Sequence, residues 1–316
     1  MDLKGIKSFI ENNDNFAILG HANPDGDCLG SCMGMWYMLK ELGKKAAVMI
    51  YDDDVPHFLK FLQKSDAIAS ENQKFDAYIA MDCADISRIA HGGDALSACE
   101  NTACIDHHRT NEGFAKVNAI FPDAAATGEI VYYLSAEVMG IKPVGAMAEC
   151  IYAAIVADTG GFKFSSTTAK TMRAGASLIE NGVDNVSVFK ALFDTYTKEQ
   201  MDIIGDVTAT LTTHFGGKVA VIHVTDELLI ERGMRLDDVD FLVSMPRGIE
   251  GVEVGVFLKK RGEQVKVSLR SGESVDVSEI AKSLGGGGHM RAAGITLDAT
   301  LEEAKKIILD KLEKVL

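Results

Sequence analysis

Over about the first 190 residues, short apolar runs of strand length alternate with longer stretches of helical pattern. The runs predict strands at 16–20, 46–51, 77–81, 102–106 and 115–120. The longer stretches predict helices near 28–42, 127–139, 144–157 and 168–181. Strands that alternate with helices in this way are joined by crossover connections and form a parallel sheet. The pattern therefore predicts an α/β domain with a parallel sheet and helices on both faces.

The pattern changes after a polar, helix-prone stretch near 183–213. The remaining segments predict strands at 218–224, 252–258, 264–270 and 293–297 and helices at 226–232, 278–284 and 301–315. Arg261-Gly262-Glu263 separates two of these strands as the turn of a hairpin would. We expect one domain over 1–190, a helical linker over 191–205 and a smaller α/β domain with a mixed sheet over 206–316.

Composition narrows the class of protein. A chain of 316 residues with 47% hydrophobic and 25% charged residues is long enough for two globular cores. No apolar run reaches the roughly 18–20 residues that span a bilayer, and the amino terminus lacks a signal-peptide pattern, so we expect a cytoplasmic protein with no membrane partner. The six cysteines form no framework spacing, which predicts reduced thiols. The net charge of −14 argues against binding of long duplex nucleic acid, but it is compatible with a small anionic ligand in a local pocket.

Acidic and histidine side chains follow four of the apolar runs. They are His21, Asp25 and Asp27 after 16–19, Asp82 after 77–81, Asp106, His107 and His108 after 102–105, and Asp158 after 151–157. The carboxyl ends of parallel strands share one edge of a sheet, so we expect these side chains to converge there. One of the acids alone would more often be a turn or capping residue. So many carboxylates can gather only with cations between them, which predicts a two-metal hydrolytic site.

The donor set and its chemistry indicate a reaction. Mixed histidine and aspartate ligands favour Mn²⁺, Co²⁺ or Fe²⁺ over Mg²⁺. Zn²⁺ is the second choice, because it prefers fewer ligands. Two cations roughly 3.5–4 Å apart would acidify a water molecule and clamp phosphoryl oxygens. Hydrolysis of a phosphoester or phosphoanhydride is the reaction that this predicts.

A second cluster lies in the predicted carboxyl-terminal domain. Gly285–Gly288 offers backbone N–H groups without side chains, and such groups can surround an anion. A plain flexible loop is the alternative. The neighbouring His289 and the strand residues Ser268, Arg270 and Ser271 favour phosphate binding.

These motifs, in this order, resemble the DHH phosphoesterase family with its DHH-associated domain, and within it the type that degrades very short RNA (nanoRNA) and hydrolyses 3′-phosphoadenosine-5′-phosphate (pAp). The similarity covers essentially the whole chain. One departure is Cys28, where similar proteins often have alanine.

The resemblance implies roles for the motif residues. His21, Asp25 and Asp82 would hold one Mn²⁺, and Asp27, Asp82, His107 and Asp158 the other, with Co²⁺, Fe²⁺ or Mg²⁺ as alternative metals. Asp106 would orient a histidine, while His108 and Arg109 would face the scissile phosphate. The opposite end of the substrate would contact the second cluster across a cleft between the domains; that cluster consists of Ser268, Arg270, Ser271, Gly286, Gly287, Gly288 and His289.

The expected activity is hydrolysis of short oligoribonucleotides to mononucleotides and of the 3′-phosphate of pAp. A phosphodiesterase for cyclic di-AMP or its linear product pApA is the alternative within the same class, because it shares every ligand position. A non-catalytic nucleotide sensor is the alternative from another class. The chain length disfavours a processive DNA exonuclease, and the absence of a basic Ser-Arg-Lys-Lys-Gln sequence disfavours a family-II pyrophosphatase. A homodimer is left open.

Overall fold

The computed structural model describes residues 1–70, 73–272 and 274–316, with the backbone alone at Asp237 and His289. It divides into two compact units, Met1–Thr195 and Tyr196–Leu316, which we call the first and second units. The division falls inside the linker expected at 191–205. Within the described ranges, none of the helices combines the length and the apolar character needed to cross a membrane.

The first unit is built on a five-stranded sheet in the order β2-β1-β3-β4-β5, and every neighbouring pair of strands is parallel. The strands are β1 Asn15–Leu19, β2 Lys45–Val48, β3 Ala77–Met81, β4 Thr102–Asp106 and β5 Val117–Ile120. The predicted parallel sheet is therefore confirmed. Since all five strands run the same way, the residues that follow β1, β3 and β4 emerge at the same edge.

Helices cover both faces of this sheet, as predicted. They are α1 Lys4–Glu11, α2 Gly26–Glu41, α3 Gly93–Ala98, α4 Thr127–Tyr133, α5 Gly145–Asp158, α6 Ala169–Glu180 and α7 Asn185–Phe193. Alternate residues of β1 point to opposite sides. Phe16 and Ile18 join the larger core with α2 and α5, whereas Ala17 and Leu19 pack with Leu96 of α3. The predicted helix at 127–139 continues beyond α4 as a π-helical segment, Leu134–Val138.

Close packing of α2 against α5 brings their functional ends together. A Cβ atom on Gly30 would lie 2.5 Å from the Cys150 carbonyl oxygen, and one on Gly26 would lie 2.5 Å from the Ala157 Cβ. These two glycines therefore admit the neighbouring helix. The helix predicted near 144–157 is α5, and Asp158 is its last residue. The expectation that Asp158 lies at a strand end like the other acids was wrong, because it reaches the site from the end of this helix.

The second unit has a six-stranded sheet in the order β10-β11-β9-β8-β7-β6. Its elements are α8 Lys198–Thr208, β6 Thr212–His214, β7 Val219–Val224, α9 Asp226–Glu231, β8 Val254–Arg261, β9 Gln264–Ser271, α10 Val277–Ser283, β10 Gly287–His289, β11 Ala292–Asp298 and α11 Leu301–Leu312. Only β7 and β8 pair in parallel among these strands, so the predicted mixed sheet is confirmed.

The predicted hairpin and glycine loop have different outcomes. Strands β8 and β9 form the hairpin, with Arg261 opposite Gln264 and Gly262 at a φ of +58°. The glycine run is not a plain loop, because its second half is edge strand β10, antiparallel to β11. A Cβ atom on Gly288 would lie 2.4 Å from the Ala292 carbonyl oxygen, so close strand pairing requires glycine there.

Candidate active site

The turn from β1 into α2 positions the first acidic residues. Asn23 has a φ of +54°, a conformation in which asparagine is among the few favoured side chains. Asp25 then caps α2, and its Oδ1 accepts from the N–H groups of Asp27 and Cys28, both at 3.0 Å. The cap starts the helix abruptly and places Asp27 in its first turn, directed into the protein.

Asp27 is buried, and polar groups from two helices fix its carboxylate. Oδ1 accepts from the Ser31 hydroxyl at 3.0 Å and from the Gly128 N–H at 2.8 Å, and Oδ2 accepts from the Thr127 N–H at 2.7 Å. The amino-terminal end of α4 thus stabilises a negative charge. In the sequence, Thr127 is only the first residue of the helix predicted near 127–139, and nothing there indicates its contact with the acidic cluster.

Asp82 is placed to serve both halves of the cluster. It directly follows β3, adopts a φ of +56° and is only 3% exposed. Its Oδ2 lies 3.7 Å from His21 Nε2, while its Oδ1 lies 3.7 Å from His107 Nε2. Thr127 Oγ1 donates to Oδ1 at 2.9 Å and fixes the carboxylate plane. Left-handed backbone of this kind at a buried acid is typical of functional sites.

Two groups of ligand atoms result. At one end, His21 Nε2 lies 3.9 Å from Asp25 Oδ1 as well as near Asp82. At the other end, His107 Nε2 lies 3.4 Å from Asp158 Oδ2 and 3.7 Å from Asp27 Oδ2. The structure therefore brings together all six sequence-predicted metal ligands, which are His21, Asp25, Asp27, Asp82, His107 and Asp158.

These separations fit shared ions better than direct ion pairs. A charge-assisted hydrogen bond between nitrogen and a carboxylate is about 2.7–2.9 Å long. Two ligand atoms that each lie about 2.1 Å from one cation are roughly 3.0–3.6 Å apart at angles of 90–120°. The nitrogen-to-oxygen distances of 3.4–3.9 Å fall beyond the first range and near the second. The residues present thus suit divalent cations.

The pKa values of the clustered side chains agree with a site for divalent cations. Burial and the charge of Asp82 hold the pKa of Asp27 well above its usual range. Burial raises the pKa of Asp158 to about 6, with the carboxylates of Asp82 and Asp25 adding to it and His107 opposing. Burial lowers the pKa of His21, but the neighbouring Asp82, Cys28 and Asp25 together outweigh burial and raise the value to about 11. Without cations the cluster must hold protons instead.

A second constellation surrounds the buried carboxylate of Asp106. Its Oδ1 accepts from His108 Nδ1–H at 2.7 Å and from the His107 N–H at 2.8 Å. Its Oδ2 accepts from Asn111 Nδ2 at 2.7 Å. The bond to Asp106 raises the pKa of His108 although burial opposes it, and it leaves Nε2 on the free side of the ring. Asn111 was missed, since it lies three residues beyond the motif.

Arg109 follows this constellation and lies at the surface. Its side chain is 72% exposed, and its Nη2 lies 3.4 Å from Asp123 Oδ1. A guanidinium so weakly held is free to contact an incoming anion.

In the second unit, the expected substrate residues do not all share a face. Ser268 and Arg270 alternate along β9 with Val267 and Leu269, which belong to the core under α10 and α11. They therefore lie on the opposite face of the sheet. Ser271 points to the core side, is buried and donates to the Met290 carbonyl oxygen at 3.4 Å. Ser271 therefore faces away from Ser268 and Arg270, because an odd spacing along a strand reverses the face.

The glycine cluster is partly committed to the fold. Gly286 N–H donates to the Ala281 carbonyl oxygen at 2.8 Å and ends α10, so this group is already engaged. Gly287 and Gly288 pair with Gly294 and Ala293 of β11. The side chain of His289 lies outside the described part of the structure.

A parallel α/β domain has acids and histidines that converge at the carboxyl edge of its sheet as candidate divalent-metal groups, an arrangement that fits a hydrolase of the phosphoesterase class. The chain belongs to the DHH family. The model of the DHH family amino-terminal domain matches residues 15–155, and that of the DHHA1 domain matches residues 216–316.

Similar proteins cover nearly the whole chain. The bifunctional oligoribonuclease and PAP phosphatase NrnA of Thermus thermophilus is 35% identical over 95% of this chain and 89% of its own length. The cyclic-di-AMP phosphodiesterase PdeA of Listeria monocytogenes is 25% identical over 98% of this chain but only 49% of its own length. A crystal structure of an exopolyphosphatase-related protein from Bacteroides fragilis has a TM-score of 0.90 and 27% identity, and covers 99% of this chain and 95% of that one.

Proposed function

We propose that the protein is a two-metal phosphoesterase that hydrolyses short oligoribonucleotides and the 3′-phosphate of pAp. The single observation that carries the two-metal interpretation is the placement of Asp82, whose two oxygens each lie 3.7 Å from a different imidazole Nε2. His21, Asp25 and Asp82 would hold one cation, and a second would lie among His107 and its three carboxylates. Their histidine and aspartate donors favour Mn²⁺.

When bound, such a pair of cations supplies a water molecule of lowered pKa and a clamp on the phosphoryl oxygens. The chain's own residues supply orientation and a proton. Asp106 accepts from His108 Nδ1–H, so the ring is fixed with Nε2 available to the substrate. His108 is only partly buried, with 30% of its side chain exposed. A protonated imidazole there can donate to the leaving oxygen, in keeping with its raised pKa.

The second unit is proposed to bind the far end of the substrate. Arg270 is flanked by buried residues on β9, and burial lowers its pKa although Asp240 opposes this. A partly desolvated guanidinium attracts a terminal phosphate more strongly than one in water. Ser268 lies on the same face and adds a hydroxyl. Binding one end in this way would limit turnover to short chains and fits the acidic net charge of −14.

The substrate preference follows the more similar relative. The Thermus protein, whose name describes an oligoribonuclease and PAP phosphatase, matches along nearly its full length. The Listeria cyclic-di-AMP phosphodiesterase also matches, so turnover of cyclic di-AMP is the second candidate. The close approach of the six expected ligands supports catalysis over a sensor without catalysis.

The test is a side-by-side assay of pAp, pApA, a three-nucleotide RNA and cyclic di-AMP with Mn²⁺. We expect pAp, pApA and the RNA to be hydrolysed faster than cyclic di-AMP. The products of pApA and of the RNA should be mononucleotides. Faster turnover of the cyclic dinucleotide would reverse the ranking. Tight binding of pAp without hydrolysis of any substrate would indicate a sensor.

A further inference from the structure

A thiol lies at one end of the metal site. Cys28 is the third residue of α2, is fully buried, and directly follows Asp27. Its sulfur, a ring nitrogen of His21 and a carboxylate oxygen of Asp82 all lie within 4.8 Å of one another. Three buried groups of nitrogen, oxygen and sulfur thus face one small volume.

The backbone around Cys28 leaves room for this sulfur. A Cβ atom on Gly20, at the end of β1, would lie 2.6 Å from Cys28 Sγ. Because Gly20 has no side chain, the Cys28 sulfur can lie directly against the backbone next to His21. His21 Nδ1 bonds to the Ala22 carbonyl oxygen at 2.9 Å, which assigns its proton to Nδ1 and directs Nε2 to the cation. Asp25, in contrast, is largely exposed and already accepts two backbone N–H groups.

We propose that Cys28 is a ligand of the cation held by His21 and Asp82. The sulfur binds as a thiolate, and its proton leaves to solvent when the cation enters. Soft thiolate ligands select Fe²⁺, Co²⁺ or Zn²⁺ over Mg²⁺ and Mn²⁺. The two ends of the site then differ, because the end around His107 offers only imidazole and carboxylate donors among its identified ligands. This inference rests on the proposed binding of cations by the cluster.

The test uses cobalt as the probe. Metal-free full-length protein is titrated with Co²⁺, and absorbance is followed in the near ultraviolet, where thiolate-to-cobalt charge transfer absorbs, and in the visible, where cobalt itself absorbs. We expect the wild type to show both bands and Cys28→Ala to lose the near-ultraviolet band while keeping visible absorbance. Cys32→Ala is the matched control, since Cys32 is equally buried one turn further along α2. It should keep both bands.

A second measurement needs no variant. X-ray absorption of the zinc-loaded wild type should show a sulfur neighbour at about 2.3 Å beside nitrogen and oxygen at about 2.0–2.2 Å. A shell of nitrogen and oxygen alone, or a charge-transfer band that persists in Cys28→Ala, would overturn the proposal for Cys28. Two bound cobalt ions without a sulfur signal would overturn this inference only, whereas no bound cobalt would overturn the two-metal function as well.

Discussion

Replacing Asp82 by asparagine removes one negative charge from the centre of the site and preserves the shape of the side chain. The two carboxylate oxygens of Asp82 lie 3.7 Å from His21 Nε2 and from His107 Nε2, respectively. A pair of unit charges at about 4 Å interacts by about 4 kcal/mol at an effective dielectric constant of 20. Loss of one such interaction with a bound cation corresponds to about a thousandfold. We therefore expect kcat/KM for pAp to fall at least about a thousandfold.

The fold should survive Asp82→Asn, because asparagine keeps the shape of the side chain and its amide oxygen can still accept from the Thr127 hydroxyl. The assay is phosphate release from pAp at saturating Mn²⁺, with metal content measured in parallel. Asp14→Asn is the control, since Asp14 pairs with Lys44 at 2.6 Å and precedes β1, at the opposite edge of the sheet. An Asp82→Asn protein that keeps more than about a tenth of wild-type kcat/KM would refute the bridging role.

Three further substitutions separate chemistry, protonation and substrate binding. His108→Gln should lower kcat by roughly 10²–10⁴, the usual contribution of a general acid, while metal content measured by titration is unchanged; loss of a metal ion would instead make His108 a ligand. Burial raises the pKa of Asp158 from 3.8 to about 6. In the metal-free protein, the stability that depends on protonated Asp158 is therefore fully present below about pH 4 and is lost as the pH rises through 6, where the buried carboxyl group ionises. Urea unfolding in chelator should therefore show Asp158→Asn gaining stability relative to wild type between about pH 4 and 7, and a constant difference would contradict the assignment. Arg270→Ala should raise KM for a dinucleotide roughly tenfold or more with little change in kcat, as expected for one charged hydrogen bond, whereas Arg261→Ala on the exposed hairpin should not.

The ligand set could be predicted from the sequence because, in a parallel sheet, residues that directly follow the strands lie at one edge. Asp82 and His107 follow apolar runs that are too short for helices, and the carboxyl ends of parallel strands meet at one edge. Asp158 reached the same site by a different route. The run before it is the helix predicted near 144–157, and close packing of α5 against α2 brings its last residue to the edge where the strands end.

The contacts that orient the ligands could not be predicted, since they join residues distant in sequence. Thr127 is 100 residues from Asp27, yet its N–H donates to that carboxylate, and its hydroxyl donates to Asp82. Its residue type indicated only a helix start. The glycine run favoured an anion site in the sequence, but residues without side chains suit an anion site and close strand pairing equally well. Gly288 serves the second of these purposes in the structure.

The sharing of Asp82 between two cations is tested most directly by anomalous diffraction from crystals grown with Mn²⁺. We predict two anomalous peaks roughly 3.5–4 Å apart, one beside His21 and the other beside His107, with the Asp82 carboxylate between them. A single peak would contradict the two-metal site, and two peaks that are not both beside the Asp82 carboxylate would contradict its bridging role.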